Sequence, residues 1–269
     1  MFRAIFLGLI QGLTEFLPVS SSGHLALAEK LMGSQHPDMY MQVFLHFGTL
    51  LALLAVYYRR IGSLLASLGR GTARRMREGD SANLIFVACL AVGTMPAMVL
   101  GYTFRELIEK AFDRVYIIGI SFLVTGTFLF LTRFGGERRK RVGILDSVLV
   151  GLAQASALLP GISRSGVTIS TGIFRGMERS DAADFSFLLA VPSILIVSIY
   201  DFFQVSEARP ESFSQYIVGM VCALLVGYGA VRWLLALVKK GRLSCFSFYC
   251  WSVGAGALIA WAVKMKGGF

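Results

Sequence analysis

Charge is scarce in this sequence. Asp, Glu, Lys and Arg make up 16% of its 269 residues, where a soluble domain carries about 25%. Hydrophobic residues make up 55% and the mean hydropathy is +0.67. That balance argues against a soluble enzyme, a disordered protein and a fibrous protein, and for a polytopic membrane protein. Acidic residues are the scarcer charges, 16 against 26 Lys and Arg, giving a formal net charge of +10. In a soluble chain such an excess points to nucleic acid. In a membrane chain it marks cytoplasmic loops, and no nucleic-acid partner is expected. Cysteine is limited to Cys89, Cys222, Cys245 and Cys250, with no C-x-x-C pair. All four lie in or beside apolar runs and read as free packing thiols. The start of the chain lacks a small-residue cleavage site. Arg3 and an apolar run lead into the polar Gln11 and Glu15, unlike an ordinary signal peptide.

Apolar helix is abundant. A bilayer core takes about 20 apolar residues in a helix, and six stretches come close: 43–58, 84–101, 115–132, 184–200, 216–238 and 245–263. Two more apolar segments are interrupted, 4–17 by Pro18 and 143–159 by Pro160. Each is too short to cross and runs into Ser and Gly. Irregular backbone at membrane depth survives only where protein or a water-filled cavity covers it. Both segments therefore read as re-entrant helical hairpins, spanning 4–30 and 143–175. Loop 59–83 carries Arg59, Arg60, Arg70, Arg74, Arg75 and Arg77 against Glu78 and Asp80. Loops 133–142 and 239–244 are also basic, whereas 102–114 is balanced and 201–215 is acidic. The basic loops belong in the cytoplasm. Six spans then place both termini outside, against the single contrary signal of Lys264 and Lys266.

The chain matches itself at an offset of 143 residues. GLIQGLTEFLPVSSSG at 8–23 meets GLAQASALLPGISRSG at 151–166, with six of sixteen positions identical: Gly8, Leu9, Gln11, Ser20, Ser22 and Gly23 against Gly151, Leu152, Gln154, Ser163, Ser165 and Gly166. Each half, 1–135 and 143–269, is one hairpin plus three spans. Three is odd, so the second half inserts upside down. The expected fold is an all-α polytopic membrane protein, six transmembrane helices and two re-entrant hairpins in an inverted-topology repeat. Such repeats place a site where their broken helices face each other, here 11–24 against 154–168.

Those segments hold polar residues that are costly in a membrane. Gln11 and Glu15 are four apart and share a helix face. The pair suits a hard divalent cation, a carboxylate that positions a hydroxyl or imidazole, or a buried structural hydrogen bond. After Pro18 come Ser20, Ser21, Ser22, Gly23 and His24, a turn that can aim N–H groups at an anion. His24 can donate a proton or attack phosphorus, and Ser21 is a second candidate nucleophile. Arg164 is the one charge between Asp146 and Arg175. Its planar fork fits phosphate, with Ser163, Ser165 and Thr168 as further donors. The plainer reading is a salt bridge from Arg164 to Glu15 across the repeat. His46 is either near the site or simply interfacial, and His36 reads as solvated. One carboxylate, one imidazole, one guanidinium and many hydroxyls at membrane depth suit phosphoryl transfer from a lipid-borne phosphate.

At these residues the chain resembles the undecaprenyl-diphosphatase family, also called the bacitracin-resistance protein family. QGLTEFLPVSSSGHL at 11–25 is similar to its [E/Q]xxxE motif and following SS-x-GH. PGISRSGVTIS at 160–170 is similar to PGxSRSxxT, and FSFLLAVP at 185–192 and the stretch at 46–52 also look like family segments. The resemblance implies hydrolysis of undecaprenyl diphosphate to undecaprenyl phosphate in the bacterial inner membrane, recycling the carrier lipid for cell-wall synthesis. It implies a divalent cation, Mg²⁺ or Ca²⁺, near Glu15 and Gln11, although the Gln weakens a two-carboxylate site. It implies catalytic roles for Glu15, Ser21, His24 and Arg164, and phosphate contacts for Ser20, Ser22, Ser163, Arg164, Ser165 and Thr168. Type-2 phosphatidic acid phosphatases share an SGH and an SR step but need a second His where this chain has Ser170. The partners expected are a polyprenyl diphosphate and the bilayer, with a site open to the outer face. Gly254, Gly256 and Ala260 suit helix packing within one chain or in a homodimer. The alternative, a transporter or flippase for an anionic or lipid-phosphate substrate, uses Arg164 but needs no His24 with Glu15.

Overall fold

The first apolar segment forms α1 (Phe2–Thr14). Pro18 lacks the N–H needed to continue it, and the chain turns at Glu15–Ser20 into α2 (Ser21–Leu31). Ser20 makes the turn at φ 67°. Its Oγ caps α2 by accepting from Gly23 N at 3.3 Å, one of the orphan donors at a helix start. The second interrupted segment repeats this plan as α7 (Ile144–Ser156) and α8 (Arg164–Phe174). Ser163 Oγ caps α8 by accepting from Gly166 N at 3.1 Å. Between them Gly161 sits at φ +96°, where a Cβ would stand 2.5 Å from the carbonyl oxygen of Ile118. Both helices of the second pair begin and end within two residues of the first pair shifted by 143.

This computed structural model describes residues 1–33, 38–72, 76–136, 142–204 and 213–266. His36, Arg74 and Arg75, residues 137–141 of the basic loop 133–142 and residues 205–212 of the acidic loop 201–215 lie outside the described residues. The remaining helices are α3 (Met39–Thr72), α4 (Asp80–Thr103), α5 (Arg105–Phe112), α6 (Val115–Leu131), α9 (Arg179–Gln204), α10 (Phe213–Lys239) and α11 (Cys245–Lys266), with a 3₁₀ turn at Thr132–Phe134. Among the described residues there is no strand. Among the described residues six helices are long and apolar enough to cross a membrane: α3, α4, α6 with its 3₁₀ turn, α9, α10 and α11.

Two loops read from the sequence are partly helical. The loop 59–83 begins as an extension of α3, whose 34 residues run about 51 Å at 1.5 Å each, well past a hydrocarbon core of about 30 Å. Arg70, on this extension, forms an ion pair with Asp80 at the start of α4 (2.6 Å). The loop 102–114 contains α5, and Lys30 near the end of α2 donates to the carbonyls of Phe112, the last residue of α5, and of Asp113 just beyond it (2.9 and 2.8 Å).

Each of the two short apolar helices buries one face by close backbone approach. α1 lies on α10, where a Cβ at Gly8 would stand 2.6 Å from the carbonyl oxygen of Gly219. α7 lies on α4, where a Cβ at Gly151 would stand 2.5 Å from that of Gly93. Small residues let helix backbones approach where water supplies no hydrophobic drive. The core sits around the tips of the two helix pairs and includes Phe16, Phe122, Phe185 and Phe187. Phe16 meets Phe187 edge to face, with centroids 6.0 Å apart. The four cysteines are free; Cys89 and Cys250 are buried and Cys245 is exposed.

Candidate active site

The α1–α2 and α7–α8 turns meet tip to tip. Gly161 N donates to Ser20 Oγ (3.1 Å), and Ser165 Oγ donates to the carbonyl of Leu17 (3.3 Å). Gly23 permits the approach, since a Cβ there would stand 2.9 Å from the Cα of Gly161 and 2.8 Å from the Phe122 ring. Thr125 of α6 braces the second tip. Its Oγ1 donates to Gly161 O and accepts from Ser163 N, both at 3.0 Å.

Glu15 lies at this junction, 8% exposed. Three donors converge on its carboxylate. Arg164 Nη2 reaches Oε1 at 2.6 Å. Ser21 Oγ donates to Oε2 at 2.5 Å, and Gln11 Nε2 donates to the same oxygen at 3.1 Å. The salt bridge of the plainer reading is therefore present, together with a serine hydroxyl on the same carboxylate. Leaving a buried ion pair with one partner costs about 3–5 kcal/mol, so this pair ties the two helix pairs together. Two polar atoms here have no partner among the described residues: Arg164 Nη1 and Gln11 Oε1 are buried and unbonded. An unpaired buried donor or acceptor costs about 1–3 kcal/mol, which a bound ligand can recover.

The other candidates divide between holding and presenting. Ser20 and Ser163 cap helices, and Ser165 bridges to Leu17. Thr168 Oγ1 donates to the carbonyl of Arg164 (2.7 Å) and lies 2.5 Å from Ser186 Oγ. These hydroxyls hold backbone. Ser22, half-buried, lies 3.3 Å from Ser20 Oγ. His24 is not bonded to Glu15; its ring contacts Ser20 O through Nδ1 (2.8 Å) and Tyr249 OH through Nε2 (2.7 Å). His46 donates through Nδ1 to the carbonyl of Gln42, one turn back (2.8 Å). Sequence reasoning missed Tyr249, Thr125 and Thr49, the last within 3.5 Å of Gln11 Nε2. An aromatic near the end of a span reads as part of an interfacial belt, so Tyr249 left no signal of its own. The hydroxyls of Thr49 and Thr125 inside apolar spans were the available clue to those two.

A hard cation asks for oxygen donors. Glu15 and the unbonded Gln11 Oε1 supply two. Among the described residues no group of three or more His, Cys, Asp or Glu gathers anywhere. The set fits a cation that takes its remaining ligands from phosphate and water, as Mg²⁺ commonly does. It does not form a cage by itself.

A family model described as "Bacitracin resistance protein BacA" matches residues 4–256. A protein named undecaprenyl-diphosphatase from Desulforapulum autotrophicum is 38% identical over 271 residues, covering 97% of this chain and 98% of that one. One of the same name from Desulfosudis oleivorans is 39% identical over 268 residues, covering 95% and 97%. A third, from Carboxydothermus hydrogenoformans, is 38% identical over 265 residues and covers 96% of each.

Proposed function

We infer that this chain, which belongs to the bacitracin resistance protein BacA family, is a membrane-bound undecaprenyl-diphosphatase. It removes the terminal phosphate from undecaprenyl diphosphate and returns the monophosphate carrier lipid to use in cell-wall synthesis, which also confers resistance to bacitracin. The carrying observation is the Ser21–Glu15–Arg164 constellation at the junction of the two helix pairs.

Arg164 binds the diphosphate through its unbonded Nη1, and the N-terminal ends of α2 and α8 add positive potential. Ser21 Oγ attacks the terminal phosphorus, and its proton passes to Glu15 Oε2, which already accepts a hydrogen bond from that hydroxyl. The bond from phosphorus to the bridging oxygen breaks and the prenyl monophosphate departs. Water then attacks the phosphoserine, Ser21 leaves, and its oxygen takes the proton back from Glu15. Glu15 and Gln11 would hold a Mg²⁺ or Ca²⁺ ion, which when bound offsets the negative charge of the diphosphate. A transporter needs an anion-binding arginine but no hydroxyl held on a carboxylate, so the Ser21–Glu15 bond favours the enzyme.

The helix pairs read as re-entrant hairpins of an inverted repeat. α1 and α7, at 13 residues each, extend about 20 Å, too short for a core of about 30 Å. The basic loops put both termini outside, and the first hairpin then opens the site to the outer face of the bacterial inner membrane. Gly254 already packs within the chain against Gly119, which leaves exposed Gly256 and Ala260 for a homodimer.

The test is phosphate release from undecaprenyl diphosphate by the purified protein in detergent, with Mg²⁺ or Ca²⁺, with chelator, and with Arg164→Ala. Metal-dependent release that the substitution abolishes supports the reading. No release by folded wild-type protein across several prenyl chain lengths contradicts it.

A further inference from the structure

We propose that Tyr249, on α11 far from both sequence motifs, is the positioning residue that fixes His24 as a proton acceptor at Nε2; this rests on the diphosphatase reading above. His24 Nδ1 lies 2.8 Å from the carbonyl oxygen of Ser20. A carbonyl oxygen can only accept, so in the neutral ring Nδ1 carries the hydrogen and Nε2 carries the lone pair. Tyr249 OH, 2.7 Å from Nε2, is then the donor. The ring is held on three sides: Ser20 at Nδ1, Tyr249 at Nε2, and Phe122 edge-on with centroids 5.2 Å apart. The Tyr249 ring lies 7° from the plane of the imidazole, so both bonds favour one ring orientation.

The tautomer decides between roles. An Nε2 without a hydrogen can take a proton from an attacking water but has none to give a leaving group. The step it suits is release of phosphate from Ser21: the water oxygen bonds phosphorus, the bond from phosphorus to Ser21 Oγ breaks, and the proton from water goes to Nε2. Tyr249 is 47% exposed at the edge of the helix bundle. It can therefore withdraw toward the bilayer and let water or a phosphate oxygen take its place at Nε2. Tyr249 itself forms and breaks no bond with the substrate.

The experiment is Tyr249→Phe, which removes the hydroxyl and keeps the ring, read in two ways. The first is ¹⁵N NMR of histidine-labelled protein, with His24 assigned by substitution of His36 and His46. Wild type is expected to show His24 with Nδ1 protonated and Nε2 bare. The variant should move the Nε2 signal downfield, to an acceptor that has lost its donor. The second is phosphate release, where kcat should fall about tenfold, the equivalent of one hydrogen bond, with KM unchanged. A His24 that carries its hydrogen on Nε2 overturns the proposal. So does a variant whose Nε2 signal stays in place, or whose kcat is unchanged or raised. The NMR arm needs no turnover, so a wild-type protein that releases no phosphate defeats the diphosphatase reading while the hydrogen-bond assignment is still measured.

Discussion

The two helix pairs share a frame and differ in chemistry. Ser20 and Ser163 cap their helices through the same N–H, three residues on. Ser22 and Ser165 stand 3.3 Å from those caps in both. Gly8 and Gly151 each press a short helix against a long one. At the reacting positions the halves part. Glu15, Ser21 and His24 in the first face Leu158, Arg164 and Val167 in the second. The repeated residues build two turns that fit tip to tip, and the unrepeated ones make them complementary. On the proposed function neither half is a site alone: one brings a carboxylate and a hydroxyl, the other the guanidinium proposed to bind phosphate.

The sharpest way to break the contrast is Arg164→Ala. It should lower kcat/KM by about a hundredfold to a thousandfold, as removal of one donor that stabilises transition-state charge does, and it should lower Tm in a thermal melt in detergent, because Glu15 is left buried without its partner. Glu15→Gln keeps the shape and removes the proposed base. Phosphate release should fall about a hundredfold or more. Leu158→Glu, the same chemistry placed in the second half, should gain nothing in that assay and should melt earlier, because an acid at this half-buried position loses part of its hydration.

Smaller effects test the shared frame. Ser20→Ala and Ser163→Ala each remove a cap, worth about 1 kcal/mol, and should lower Tm by similar amounts. Ser20→Ala should be the worse of the two, because it also strands Gly161 N. The smallest effect concerns the paired glutamines. Gln11 bonds Glu15, whereas both amide atoms of the buried Gln154 are unbonded. Gln154→Leu should leave activity intact and hold or raise Tm, since an unsatisfied buried amide is being removed. Gln11→Leu should lower activity. Equal losses from the two would erase the difference between the halves.

Much of this was legible in the sequence because membranes penalise polar groups. Glu15, Arg164 and the hydroxyls around Pro18 and Pro160 stand out in apolar segments, and the 143-residue offset pairs the two segments that carry them. The six spans follow from run length, since a bilayer fixes how much apolar helix is needed. Other features depend on tertiary contact. Whether Ser20 holds backbone or phosphate is decided by Gly161 reaching it from 141 residues away. The partner of His24 is an aromatic on the last helix, with no local pattern to mark it. The extended end of α3 was hidden because arginines read as loop when counted for topology, although Arg70 is helical and pairs with Asp80.

The central claim is that the two helix pairs form one catalytic unit joined at Glu15 and Arg164. A double-mutant cycle of Glu15→Gln and Arg164→Gln, read as phosphate release from undecaprenyl diphosphate, tests it most directly. Residues acting as a unit lose their effect once, so the account predicts a double variant no slower than the slower single variant. Losses that multiply, each substitution acting as if the other were absent, would contradict it.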